Sequence, residues 1–445
     1  MRLRLLFCLL IPILTCHVSI AQKQWTLQEC IEHARSNNIA VRQAEISSEI
    51  SLVNRNQSMT SMLPSLNASG SHQRSLGRTV DPFTNTPTEN ETRTTNFSVN
   101  SNFLLFNGLR LQHQLAQSKY EYLQSRENLN KIRNDISLNV AAAYLQVLFA
   151  SESQKTASDR VEAALETRNR TQKMVETGLM AQGTLLDADA ALASEELAKV
   201  NADNTLQSAY ISLTQLLDID SINGFSIAQQ QVDLPTLNTA LLSPDEITRV
   251  AMASLPEVKA SAMGIEGARK GVSSARSSLT PTVSIFSSIG SFYNEGGFSS
   301  LLGEIPFNEQ VENNQSKNIG LSLSIPIFNG WSARSNIARS KLNLENAMLQ
   351  DENTKKQVYK SVVQAHSDAT AAINRFNAAQ KAFSSAKESY GYAEKKYEVG
   401  LISFLDFINI RNNRSRAESE VLQAKYDLVF RLKVIDFYLG KPLVF

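Results

Sequence analysis

The sequence predicts an α+β membrane protein: long α-helical hairpins joined to four β-strands, built as an internal duplication. Three observations carry this. Landmarks recur at a fixed offset: Leu105-Phe106-Asn107-Gly108 returns 222 residues later as Ile327-Phe328-Asn329-Gly330, and Glu176-Thr177-Gly178-Leu179 returns at the same offset as Glu398-Val399-Gly400-Leu401. Leu63-Pro64 is echoed by Thr280-Pro281 at an offset of 217. Between the landmarks run two stretches of 69 residues, 109–177 with no Gly or Pro and 331–399 interrupted only by Gly391. Just before each of them the apolar period changes from helical to alternating.

The N-terminus reads as a secretory signal over 1–21. Arg2 and Arg4 are followed by an apolar run and by Ser19-Ile20-Ala21, small residues at the −3 and −1 positions of a cleavage site before Gln22. The run is only about ten residues, against the roughly 20 that a spanning helix needs. Cleavage removes two of the 44 basic residues and none of the 43 acidic ones, so the mature chain is nearly neutral. That balance gives no reason to expect a nucleic-acid partner. Of three cysteines only Cys30 remains, so an internal disulfide is excluded and stability must come from packing or assembly.

The first repeat is expected over 22–218, with helices in two pieces over 27–63 and a β-hairpin over about 65–106. A linker follows over 219–242. The second repeat, 243–445, brings helices in two pieces over 244–279 and a hairpin over about 281–328. The long helical hairpins are 109–218 and 331–439. Ile132, Ile136, Val140, Ala143 and Val147 mark a helical stripe in one long stretch; Val358, Val362, Ala365, Ala369 and Ile373 mark it in the other. At 1.5 Å per residue such a helix is about 100 Å long, far beyond a globular helix, and implies coiled-coil-like packing. Each is expected to turn at Gly178 or Gly400 into a second helix. Gln182-Gly183-Thr184 reads as a lengthening of the first tip.

In the strands, Ile319, Leu321, Leu323, Ile325 and Ile327 alternate with Gly320, Ser322 and Ser324, and the strand is expected to run to Phe328. Phe97, Val99, Phe103 and Leu105 stand opposite Asn96, Ser98, Asn100 and Asn102. Their partners are 65 to about 78 and 282 to about 292, across polar loops 79–94 and 293–316. A half-buried soluble sheet alternates in the same way. The strand length and the small, uncharged polar face favour lipid outside and water inside. Four strands cannot close a barrel, and open edges in lipid cost several kcal/mol per unsatisfied group, so the chain must oligomerise. Two copies would supply eight strands and three would supply twelve.

Signal, duplicated helix–hairpin–helix order, FNG-type turns and Gly-Leu tips together resemble the TolC-like outer-membrane efflux protein family across the whole mature chain. The resemblance implies a homotrimer with a 12-stranded outer-membrane β-barrel in outer-membrane lipid, continued by a periplasmic α-barrel. It implies a passive exit duct for efflux or type I secretion, joined to an inner-membrane pump by a periplasmic adaptor (membrane fusion) protein. The family's tips meet the adaptor, which points to Val399, Gly400 and Leu401, and to Thr177, Gly178 and Leu179 with Thr in place of Val; a plain turn glycine is the other reading. The family gates its channel with aspartates six and nine residues after the second tip glycine. Asp406 matches and Asn409 departs, leaving one carboxylate ring; Asp187, nine after Gly178, is the first-half candidate. Asp406 reads equally as a carboxylate at a helix start.

Enzyme chemistry finds no support. His17, His33, His72, His113 and His366 show no metal-ligand spacing, and HExxH, CxxC, GxSxG, GxGxxG and GxxxxGK strings are all lacking, so no cofactor is expected. The competing class is a non-transporting exported coiled-coil protein, structural or adhesive, which would leave the strands unexplained.

Overall fold

A computed structural model describes residues 24–80, 85–88, 92–221, 224–228, 242–295, 298–299 and 303–443. The expected signal, 1–21, lies outside them, as does much of the linker 219–242. In chain order the elements are β1 (Gln24–Trp25), α1 (Leu27–Asn37), α2 (Ile39–Thr60), β2 (Ser65–Ser75), β3 (Thr79–Val80), β4 (Pro87–Thr88), β5 (Thr92–Phe106), α3 (Arg110–Glu176), α4 (Gln182–Leu217) and β6 (Ser226–Ile227). There follow α5 (Pro244–Ser254), α6 (Pro256–Arg276), β7 (Thr282–Glu295), β8 (Phe298–Ser299), β9 (Gly303–Glu304), α7 (Phe307–Asn313), β10 (Ser316–Ser324), α8 (Ser332–Glu398) and α9 (Phe404–Tyr438). The duplication holds in the elements: α3 and α8 are each 67 residues and start at 110 and 332.

Local chemistry sets the breaks. Thr26 and Glu29 form a capping box that opens α1, and Ser243 with Glu246 forms another at α5. Pro256 separates α5 from α6, because its ring disfavours helical angles at Leu255, which lies at φ −66°, ψ 133°. Nothing comparable interrupts α3 or α8.

The chain forms two compact units, and each draws on both halves of the sequence. The first comprises the described parts of Met1–Ile39, Asp135–Leu242 and Ala365–Phe445. Its core packs Val140, Tyr144, Val147 and Leu148 of α3 against Leu213 and Leu217 of α4, Leu27 and Ile31 of α1, and Val429 of α9. The Tyr144 hydroxyl, fully buried there, donates to the Ala228 carbonyl at 2.9 Å, and its burial holds the phenol above its ordinary pKa. From Ile136 to Val147 the predicted stripe of α3 thus faces this core.

The second unit comprises the described parts of Ala40–Asn134 and Ser243–Gln364. It holds a four-stranded antiparallel sheet in the order β10-β7-β5-β2. One hairpin from each half meets at β5 and β7. Register stacks Phe103, Ile285 and Leu321 in one row, and Val99 pairs with Ile289 on that same face. Asn100, Ser288 and Asn67 form a row on the other face, as do Ser98, Gly290 and Ser69. On that polar face Gly320 lets the Phe286 ring lie over the strand, where any Cβ would collide with it. Asp351, largely buried on α8, accepts from Ser261 of α6 at 2.6 Å and from Lys355 at 2.7 Å, which holds its carboxyl below the ordinary range.

Three strand expectations are corrected. β10 ends at Ser324 rather than Phe328, because Pro326 has no N–H for the ladder and restricts Ile325 before it. A bulge at Leu105 leaves Phe106 opposite Val283, so Leu105 drops out of the apolar row. β2 stops at Ser75, before Gly77 with φ 125°. The 293–316 segment is also more than a loop. β7 continues to Glu295, and α7 is held by the buried Gln310, which accepts from Asn294 N–H at 3.0 Å and donates to the Asn294 carbonyl at 3.1 Å. Among the described residues no helix is long and apolar enough to cross a membrane.

Candidate functional site

Both hairpin tips are Schellman turns, in which a left-handed residue lets two amides reach back to the last helical carbonyls. At the first, Gly178 N–H donates to Val175 O at 3.0 Å and Leu179 N–H to Met174 O at 2.8 Å. At the second, Gly400 N–H donates to Tyr397 O at 3.0 Å and Leu401 N–H to Lys396 O at 2.8 Å. The two glycines sit at φ 74° and 73°, where a Cβ would strain the backbone. The turns leave Leu179, Val399 and Leu401 exposed as apolar knobs. Thr177 is exposed as well, with its hydroxyl turned back on its own helix: it donates to Lys173 O at 3.0 Å and Met174 O at 3.1 Å. The second tip is fastened by Tyr397 stacked on Phe407, with centroids 4.7 Å apart and planes 8° from parallel.

The first tip is not lengthened. α4 begins at Gln182 and α9 at Phe404, each four residues after its glycine, so Gly183 and Thr184 already belong to a helix. The two hairpins therefore correspond residue by residue at the 222 offset. Thr184 stands where the other hairpin has Asp406, and Asp187 stands where it has Asn409. Of these two matched positions each hairpin has a carboxylate at one: the first in the second hairpin and, one turn later, the second in the first hairpin. Sequence reading missed Thr184, although the repeat offset contains the signal.

Asp406, Asn409 and Asp187 are all exposed. Asp406 occupies the third position of α9. Its N–H donates to Ser403 Oγ at 3.1 Å, and Ser403 Oγ donates to its Oδ2 at 2.6 Å. Asp406 thus sits as a first-turn carboxylate bonded to the N-cap Ser403, with Oδ1 outside that bond. Ala181, which opens α4, makes no side-chain cap. Below the tips Arg168 Nε donates to Asp189 at 2.8 Å, tying α3 to α4, and Arg170 lies 3.6 Å from Glu398, tying α3 to α8.

Ten to twenty residues from the tips, Arg160, Arg411 and Arg414 line one cavity of about 180 Å³ between the helices of this unit. Arg414 lies 4.8 Å above the Tyr390 ring, and burial pulls the Arg411 guanidinium below its ordinary pKa, against the nearby Glu195. Asp159, Glu195 and Glu418 line the same cavity and balance its charge. No cluster of three or more potential metal ligands occurs among the described residues.

The model of the outer membrane efflux protein family matches residues 30–218 and 248–441, which is most of the chain and reproduces its two halves. Among curated proteins, the outer membrane efflux protein BepC of Brucella suis is 22% identical over 366 residues, covering 81% of this chain and 74% of its own. Protein CyaE of Bordetella pertussis is 26% identical over 219 residues, 49% of this chain; the match spans only 44% of that relative. Among solved structures, the transmembrane channel CusC superposes with a TM-score of 0.78 at 19% identity, covering 94% of this chain and 92% of its own. The fold and the duplicated hairpins are accordingly those of this class, and the chain belongs to the outer membrane efflux protein family, whose members are outer-membrane channels and not enzymes.

Proposed function

We propose that the chain is the passive outer-membrane duct of a tripartite efflux or type I secretion system, fed by an inner-membrane pump through a periplasmic adaptor. One observation carries most of this reading: a sheet with one exposed apolar face, one neutral polar face and two outer edges, β10 and β2, that pair with nothing among the described residues. In lipid such edges cost several kcal/mol per unsatisfied group. Three copies close them into one barrel of twelve strands with the asparagine and serine rows lining water. The two repeats, 22–218 and 243–445, then each supply a hairpin to that barrel and a helical hairpin to a periplasmic tunnel.

The tips are the adaptor contacts, through Val399, Gly400 and Leu401 and through Thr177, Gly178 and Leu179; rigid turns bearing exposed apolar side chains suit a protein partner. The gate is built from Asp406 of one hairpin and Asp187 of the other, with Asn409 neutral. A trimer sets these carboxylates around a narrow passage, which attracts cations and resists anions. Native mass spectrometry of the detergent-purified protein tests the assembly. A species of three chains that persists on an unheated gel is expected; a monomer or dimer alone contradicts the reading.

A further inference from the structure

A cavity of about 420 Å³ lies between α3, α8 and α9 in the first compact unit. Small-molecule sites span roughly 300–1,000 Å³. Phe149 of α3 and Tyr426 and Phe430 of α9 wall it. The Phe149 and Tyr426 rings meet edge to face, with centroids 6.1 Å apart. The Tyr426 hydroxyl donates to Glu152 at 2.8 Å, so this side chain offers the cavity its ring. Tyr426 is buried and the two phenylalanines are half-buried, whereas Gln146, Gln423 and Arg375 of the same lining are exposed. An aromatic floor thus carries a polar rim.

Charge in the lining is unevenly matched. Arg431, which also borders the cavity, pairs with Asp427 at 3.3 Å and with Asp368 at 2.8 Å. Arg375 makes no ion pair or hydrogen bond among the described residues, and neither the Gln146 nor the Gln423 amide is engaged. The 180 Å³ cavity nearer the tips differs, because three carboxylates there balance three arginines and Tyr390 is its one ring.

Aromatic walls beside an unpaired guanidinium restrict what fits. The rings take a flat apolar body in offset or edge-on contact. The guanidinium takes a planar carboxylate through two parallel hydrogen bonds, and the amides can donate to its remaining lone pairs. An aromatic amine would set two cations together, and a neutral arene would leave Arg375 unpaired.

We infer that this cavity is a binding site for a small aromatic carboxylate. Its ring lies among Phe149, Tyr426 and Phe430, and its carboxylate meets Arg375 and the two amides. The ligand bridges α3 of the first repeat to α8 and α9 of the second. The site lies within the first unit, so it stands independently of any sheet in a membrane.

The test is calorimetric titration of the full chain in an uncharged maltoside. The probe is 1-naphthoate, and its neutral isostere 1-naphthamide controls for partition into micelles. Naphthoate is expected to saturate one site per chain and to bind about tenfold or more tightly than the amide. Arg375 is exposed, so Arg375→Gln leaves the core intact. That variant is expected to lose the preference and bind both ligands weakly and alike. Phe149→Leu keeps an apolar residue and removes the ring; both ligands are expected to weaken several-fold while the preference stays. Equal affinities in the wild type, or a preference that survives Arg375→Gln, overturn the carboxylate site. Absence of saturable binding overturns it too. In that case a smaller trimer fraction for Arg375→Gln in native mass spectrometry gives the cavity to a side chain of a neighbouring copy, and an unchanged fraction gives it to water.

Discussion

Asp406 accepts the Ser403 hydroxyl through Oδ2 at 2.6 Å, and the proposed gate would use its other oxygen and its net charge. The two roles separate by substitution. Ser403→Ala removes the cap and is expected to lower stability by about 1 kcal/mol in a thermal melt, while cation selectivity stays. Asp406→Asn keeps an oxygen facing Ser403 and removes the charge. It is expected to change stability by no more than about 0.5 kcal/mol and to move the reversal potential in a salt gradient towards zero. At this scale the tip glycines were legible, because only a left-handed turn explains Gly-Leu after a long helix. The match of Thr184 to Asp406 was not. Gly183 reads as a break, yet a helix tolerates one glycine at about 1 kcal/mol, and this one stands second in α4.

Among the elements, α3 and α8 were legible almost to the residue, since 67 residues free of Pro and nearly free of Gly leave the chain no place to stop. Strand ends were less so. A proline two residues beyond β10, a bulge at Leu105 and the left-handed Gly77 each act through ladder geometry that alternation does not encode. Helix α7 stayed hidden because seven residues of polar sequence become a helix only through the long-range clamp of Gln310 on Asn294. The tight spot in the sheet is Gly320 beneath Phe286. Gly320→Val adds a branched side chain against that ring, and loss of most of the heat-resistant oligomer on an unheated gel is expected, with Ser322→Val as a tolerated control. In the helical unit, Tyr144→Phe removes the bond from a buried hydroxyl to the partly buried Ala228 carbonyl. A loss of about 1–2 kcal/mol in urea unfolding is expected.

At the scale of the whole molecule, each chain is an incomplete object. Its four strands expose apolar rows outward and amide and hydroxyl rows on the other face, and its tips end in apolar knobs with a carboxylate close behind. The duplication made the architecture readable from sequence, because each half checks the other at the 222 offset. The two compact units were not readable, since each gathers segments from both halves through contacts far apart in the chain. Under the proposed function the duct is passive, and flow through it follows the pump that feeds it. The most direct test is single-channel recording of the purified protein in planar bilayers, wild type beside Asp406→Ala. Discrete, cation-selective openings that lose selectivity in the variant are expected. Bilayers that stay silent with both proteins, while the same preparations show inserted trimer, would contradict the duct.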